Sequence, residues 1–198
     1  MGVEERMADR CNTIRLYSFQ TDVVYQVLKR DGVCYSKEEY VRKKYKESAK
    51  VFINAYGWFV KEAQHIVPKP EGAEYPYWAF TDLYNVDQTG DGHVLTLDVP
   101  IGEAILFDMF DWTKIMQMHY IGENESEEAT FSEELKNMGM NEFQIMTSNF
   151  YPEQKARIQE SWKRLFGHQQ AIEAGDNRGV HSVQAGLWCI KDEWIVKE

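Results

Sequence analysis

The chain predicts an α+β fold, and three observations carry that expectation. In "LYSFQTDVVYQVLKRDGVCY" (16–35) a short strand-like stretch passes into apolar residues at Val23, Val24, Val27 and Leu28, the spacing of a helix's buried stripe. "HVLTLDVP" (93–100) alternates Leu95, Leu97 and Val99 with Val94, Thr96 and Asp98, the period of a strand. No internal repeat and no long linker divides the 198 residues, so the segments belong to one mixed domain.

Taken in order, residues 1–13 are polar and aperiodic and read as a flexible N-terminus, with the domain over 14–198. Gly32 stops the first helix. Ser36 and Glu39 have capping-box spacing, and apolar residues from Tyr40 to Ile66 continue a helical stripe until Pro68, with a kink expected near Gly57. This makes a long N-terminal helical segment, and helices are expected mainly in the first third. "PKPEGAEYPYWAF" is a loop ending in a strand, Tyr77 to Phe80. After the strand at 93–100, "AILFDMFDW" adds apolar residues and a helix start at Asp111. Residues 122–134 hold six glutamates and no basic residue, and read as a solvated loop or helix start. Pro152 suits a first helical position, and Ile158, Trp162, Leu165 and Phe166 share one side. "VQAGLWCIKDEWIVKE" reads as a C-terminal β-hairpin about a Lys191-Asp192 turn.

Composition narrows the function. The net charge of −10 argues against broad phosphate contacts, so nucleic acid is expected only through a local basic patch, "VRKKYK" (41–46). Cys11, Cys34 and Cys189 are odd in number and lack metal-site spacing, which fits a reducing, cytoplasmic setting. No signal segment or long apolar run points to export or a membrane. The five histidines show no helical ligand spacing, so no metal is expected. "DQTGDGHVLTLD" (87–98) matches several positions of a calcium loop, but it runs into an alternating strand and is read as a turn on Asp91-Gly92. No nucleophile elbow, phosphate loop or dinucleotide fingerprint is present.

Three features remain. Ser18, Gln20 and Thr21 place polar side chains at the joint of the first strand and helix. Tyr77 and Trp78 adjoin on a strand and point to opposite faces. Gln184 is a polar side chain in an apolar strand, sharing a face with Gly186 and needing a partner.

Two resemblances attach to these residues. "LYSFQTDVVYQVLKRDGVCY", "PEGAEYPYWAF", "LTLDVPIGEAILFDMFDW", "IQESWKRLF" and "VQAGLWCIKDEW" resemble the successive blocks of a bacterial and phage family of domains of unknown function, DUF3841. That resemblance implies a cytosolic bacterial or phage protein and names no activity. "YSFQTDVVYQVLKRDG" is also similar in layout to the opening of the ADP-ribosyltransferase fold, a strand of the type Tyr-His-x-Thr followed by a helix and a Gly.

The second resemblance implies an NAD-binding transferase that modifies a protein or nucleic acid, within phage–host conflict. Gln20 and Thr21 would contact the nucleotide, Tyr77 or Trp78 would stack on nicotinamide, and Ser18 and Gln184 would take the catalytic positions. Ser18 stands where the pattern has His, and Gln184 where most active members carry Glu. A neutral amide stabilises developing positive charge less well than a carboxylate. Gln184 would then orient an unusual acceptor, or catalysis would be lost. The alternative expectation is a non-enzymatic acidic protein that binds a host or defence protein through charge and exposed aromatics.

Overall fold

The computed structural model describes residues 13–39, 42 and 49–197. Strands β1 (Thr13–Gln20), β3 (Tyr77–Phe80), β4 (His93–Pro100), β5 (Ala104–Asp108) and β6 (Val183–Leu187) form one antiparallel sheet. Their spatial order is β4-β1-β3-β6-β5. A second sheet pairs β2 (Val33–Tyr35) with β7 (Cys189–Lys191). The described helices are α1 (Asp22–Asp31), α2 (Ala49–Ala63), α3 (Met109–Met116), α4 (Glu125–Asn137), α5 (Glu142–Thr147), α6 (Pro152–Ser161) and α7 (Gln169–Glu173). A 3-10 segment, Trp162–His168, joins α6 to α7.

Local chemistry accounts for several boundaries. Gly32 ends α1 at φ 76°, a left-handed conformation that glycine adopts without steric cost, and its N–H donates to Leu28 O. Asn141 and Gln144 close a reciprocal capping box on α5. Pro152 opens α6, where a missing N–H costs nothing.

Paired residues of an antiparallel sheet share a face, so the register sorts the side chains. Leu16, Leu97, Tyr77, Ala79, Ala185, Leu187 and Leu106 lie on the face covered by Leu28 of α1, Ile172 of α7 and Ile190 of β7. Trp78, Gly186, Ile105 and Phe107 lie on the other face, under α2, α3 and the helices that follow. Phe59 of α2 is the centre of this second core, with its ring 5.1–5.7 Å from those of Trp78, Trp112, Phe107 and Phe166. Gly186 permits that approach, since a Cβ there would stand 2.9 Å from Phe59 Cζ. Both outer strands of the sheet are closed. Gln169 accepts from Leu106 N and donates to Ala104 O at 3.1 Å, while Val196 N donates to Thr96 O of β4 at 2.9 Å.

The structure corrects the sequence reading in several places. β6 and β7 are not a hairpin: they belong to different sheets, because Trp188 between them is buried and donates its Nε1 to Val67 O. The helical segment at Asp111 begins at Met109, since the Asp108 carboxylate accepts from Phe110 N and caps it. The glutamate-rich stretch takes the second of its two expected forms, the start of a helix: it becomes α4, with Asn124 as its cap and Phe131 and Leu135 buried one turn apart. Most described helices therefore lie after residue 108, not in the first third. Thr13, assigned to the terminus, is the first residue of β1. Residues 1–12, with Cys11, and most of the 41–46 basic cluster lie outside the described residues.

Burial in the small sheet sets cysteine chemistry. Cys34 and Cys189 are both buried and unpaired by disulfide, and Cys34 Sγ lies 3.1 Å from Tyr77 Oη. Burial pushes the Cys189 thiol up to about 11, with Lys191 opposing and Glu103 and Cys34 adding. Iodoacetamide near pH 8 is therefore expected to leave both unmodified until the protein is unfolded. Peptide mass mapping checks this, and native-state labelling of Cys189 at the unfolded rate would contradict it.

Candidate functional site

Across the sheet, one transverse row places Thr96, Tyr17, Phe80, Gln184 and Phe107 side by side on the α2 face. Tyr17 and Phe80 are half-buried, while Gln184 is only 3% exposed. Among the described residues, Gln184 Oε1 is the single buried side-chain nitrogen or oxygen without a hydrogen-bond partner. A buried acceptor left without a donor costs about 1–3 kcal/mol, so a ligand group that reached it would recover that energy.

Ser18, Gln20 and Tyr77 lie on the opposite face. Ser18 Oγ donates to Trp78 O at 2.7 Å and accepts from Gln20 Nε2 at 2.8 Å. β1 and β3 share one register pair, Tyr17–Phe80, and these two side chains continue the hydrogen bonding just beyond it. The polar joint thus ties strands together. Tyr77 is buried against Cys34. Thr21 is exposed at the N-cap position of α1 and makes no side-chain capping bond. Trp78 does lie on the Gln184 face, but its Nε1 donates to Tyr56 Oη at 2.7 Å and its ring packs 4.8 Å from that of Trp112. Of the residues singled out from sequence, the sheet brings Trp78 and Gln184 to one face, and Ser18, Gln20 and Tyr77 to the other.

A second constellation escaped the sequence reading. Asp108 ends β5 and is 3% exposed. Its carboxylate accepts from Phe110 N at 3.0 Å, His181 N at 2.9 Å and His181 Nδ1 at 2.8 Å. Burial alone would raise its pKa, but the His181 and Phe110 amides, the His181 imidazole and the Ser182 amide together hold it below the usual carboxylate range. The imidazole itself is 72% exposed and leans on Phe110, with ring centroids 5.0 Å apart. Asp111, one turn further along α3, is pushed the other way: burial raises it, Asp108 and Glu128 add, and Lys114 and His168 oppose. Asp108 and His181 stand 73 positions apart, so no local spacing could reveal them.

Other openings are less suited to a ligand. A groove of about 520 Å³ bounded by Tyr120, Arg157, Lys163 and Arg164 carries cations that already hold Glu134, Glu160 and Glu127. The 87–98 loop precedes a strand instead of joining two helices, and Gly92 packs so closely that a Cβ would come 2.4 Å from Gln20 O. Among the described residues, no helix is long and apolar enough to cross a membrane.

Comparison with known proteins adds a family but no activity. No curated protein and no solved structure matches the chain. The family model described as a domain of unknown function, DUF3841, matches residues 15–196, and that span carries every described helix and both sheets apart from the first two residues of β1. The chain belongs to the DUF3841 family.

Proposed function

We propose that the chain binds a nucleotide-type ligand, NAD foremost, on the Gln184 face of the sheet and transfers its ADP-ribose to a macromolecule. The observation supporting this is the unpartnered Gln184 Oε1 in register with the Tyr17 and Phe80 rings. An acceptor without a donor suits the N–H of a carboxamide or a ribose hydroxyl, and adjacent aromatic rings suit a flat heterocycle. Tyr17 and Phe80 take the role expected of Tyr77 and Trp78, while Ser18 and Gln20 tie strands together on the other face. The neutral amide of Gln184 gives weak support to developing positive charge, so transfer is slow.

Calorimetric titration with NAD tests this reading. Gln184→Leu is expected to weaken binding about tenfold, the value of roughly one hydrogen bond, without lowering thermal stability. Ser18→Ala is expected to leave affinity unchanged and to lower stability. No heat at millimolar NAD would remove the proposal.

A second reading, an acidic interaction protein without enzymatic activity, is favoured by one observation: Met138, Phe143 and Phe150 are exposed along the stretch of chain that follows the glutamate-rich α4. It requires capture of a basic host or defence protein that weakens as salt rises and is lost in Phe150→Ser. Capture indifferent to salt and to that substitution would count against it.

A further inference from the structure

We propose that His181 and Asp108 form a general-base pair that hydrolyses uncharged carboxylic esters or similar acyl compounds at the open end of β5 and β6. Three features of the surroundings support it. First, the ionised Asp108 accepts from Nδ1–H of the imidazole, which leaves the lone pair on Nε2, and no described residue hydrogen-bonds that atom. Secondly, the segment that carries the base is held in place: His181 N also donates to Asp108, Met109 N donates to Ser182 O at 2.8 Å, and Asn85 Nδ2 donates to Ser182 Oγ at 2.7 Å. Thirdly, the ring faces solvent beside an apolar surface. Phe110 is 52% exposed, and Leu83 and Tyr84, in the segment Asn85 pins to Ser182, are exposed too.

Charge selects the substrate. Asp108 is the carboxylate on the imidazole; the charged groups acting on its neighbour Asp111 are Lys114, Asp108, His168 and Glu128, and Lys114 is already engaged by Glu128 at 2.6 Å. The Asp108 carboxylate held against the imidazole repels a phosphate, whereas an uncharged carbonyl compound can seat an aromatic or aliphatic arm on Phe110. In the reaction, Nε2 takes a proton from water as the water oxygen bonds to the carbonyl carbon. The tetrahedral adduct then breaks its C–O bond to the alcohol, which leaves with that same proton, and the neutral imidazole is restored. His181 is the catalytic residue and Asp108 a positioning residue.

The test is hydrolysis of 4-nitrophenyl butyrate by the full chain, followed by release of 4-nitrophenol. His181→Gln, at an exposed position that keeps the fold, is expected to lower kcat/KM by about 100-fold. Asp108→Asn places a donor opposite Nδ1 and moves the imidazole proton to Nε2, so kcat falls while KM stays. The wild-type rate is expected to slow in D₂O, because proton transfer to Nε2 accompanies bond formation. A wild-type rate equal to that of His181→Gln overturns the proposal, as does trapping of an acylated His181, which would make the ring a nucleophile instead of a base.

Discussion

Phe59→Ala is expected to cost about 4 kcal/mol, enough to lower the melting temperature of a domain this size by roughly 10 °C. Phe59 is completely buried, and its ring meets Trp78, Phe107, Trp112 and Phe166 edge-on or tilted. These residues come from β3, β5, α3 and the 3-10 segment, so the cavity would loosen four elements together. The neighbours are large, rigid rings that cannot collapse into the space. Thermal unfolding followed by circular dichroism measures the effect. A loss under 1 kcal/mol would show that α2 does not hold the sheet as described.

Asp108→Ala ranks second, with an expected loss of about 3 kcal/mol. The substitution removes the cap of α3 and leaves the Phe110 and His181 amides without their acceptor at a part-buried place. It also has a pH signature. The folded carboxylate titrates below its usual value of 3.8, so the stabilisation is complete above that pH and disappears as pH falls through the folded value. Wild type and variant should therefore differ most near neutrality and converge in acid. Denaturant midpoints measured from neutral pH to strong acid would show it, and a constant gap would contradict it.

The legible parts of this fold are those written in short-range periodicity. Val24, Val27 and Leu28 announced α1, Gly32 ended it, and the alternation of Leu95, Leu97 and Val99 announced β4. α4 was legible too, since Phe131 and Leu135 stand one turn apart, but six glutamates obscured the stripe. The hairpin expectation failed at a single residue: Trp188 looks like one more strand position until its indole reaches Val67 O, 121 positions away. The joint at Ser18 and Gln20 attracted attention because it was polar, yet Ser18 is satisfied by a main-chain carbonyl, that of Trp78, which no sequence displays. Gln184 drew attention as a polar group in an apolar strand, and the structure leaves its Oε1 still without a donor. His181 was set aside as one of five scattered histidines because a pair is visible only after β5 and β6 have met.

The side-chain amide of Gln169 bears on how copies of this chain behave at high concentration. It stands in for a neighbouring strand, offering β5 one acceptor and one donor at the spacing a real strand would use. A Gln169→Leu chain would keep its size and apolar contacts but leave Leu106 N and Ala104 O buried without partners on an outer strand of almost wholly apolar sequence. The Gln169 amide and the cover of α7 and the 3-10 segment together deny that edge to the same segment of another molecule, which keeps concentrated copies from pairing strand to strand.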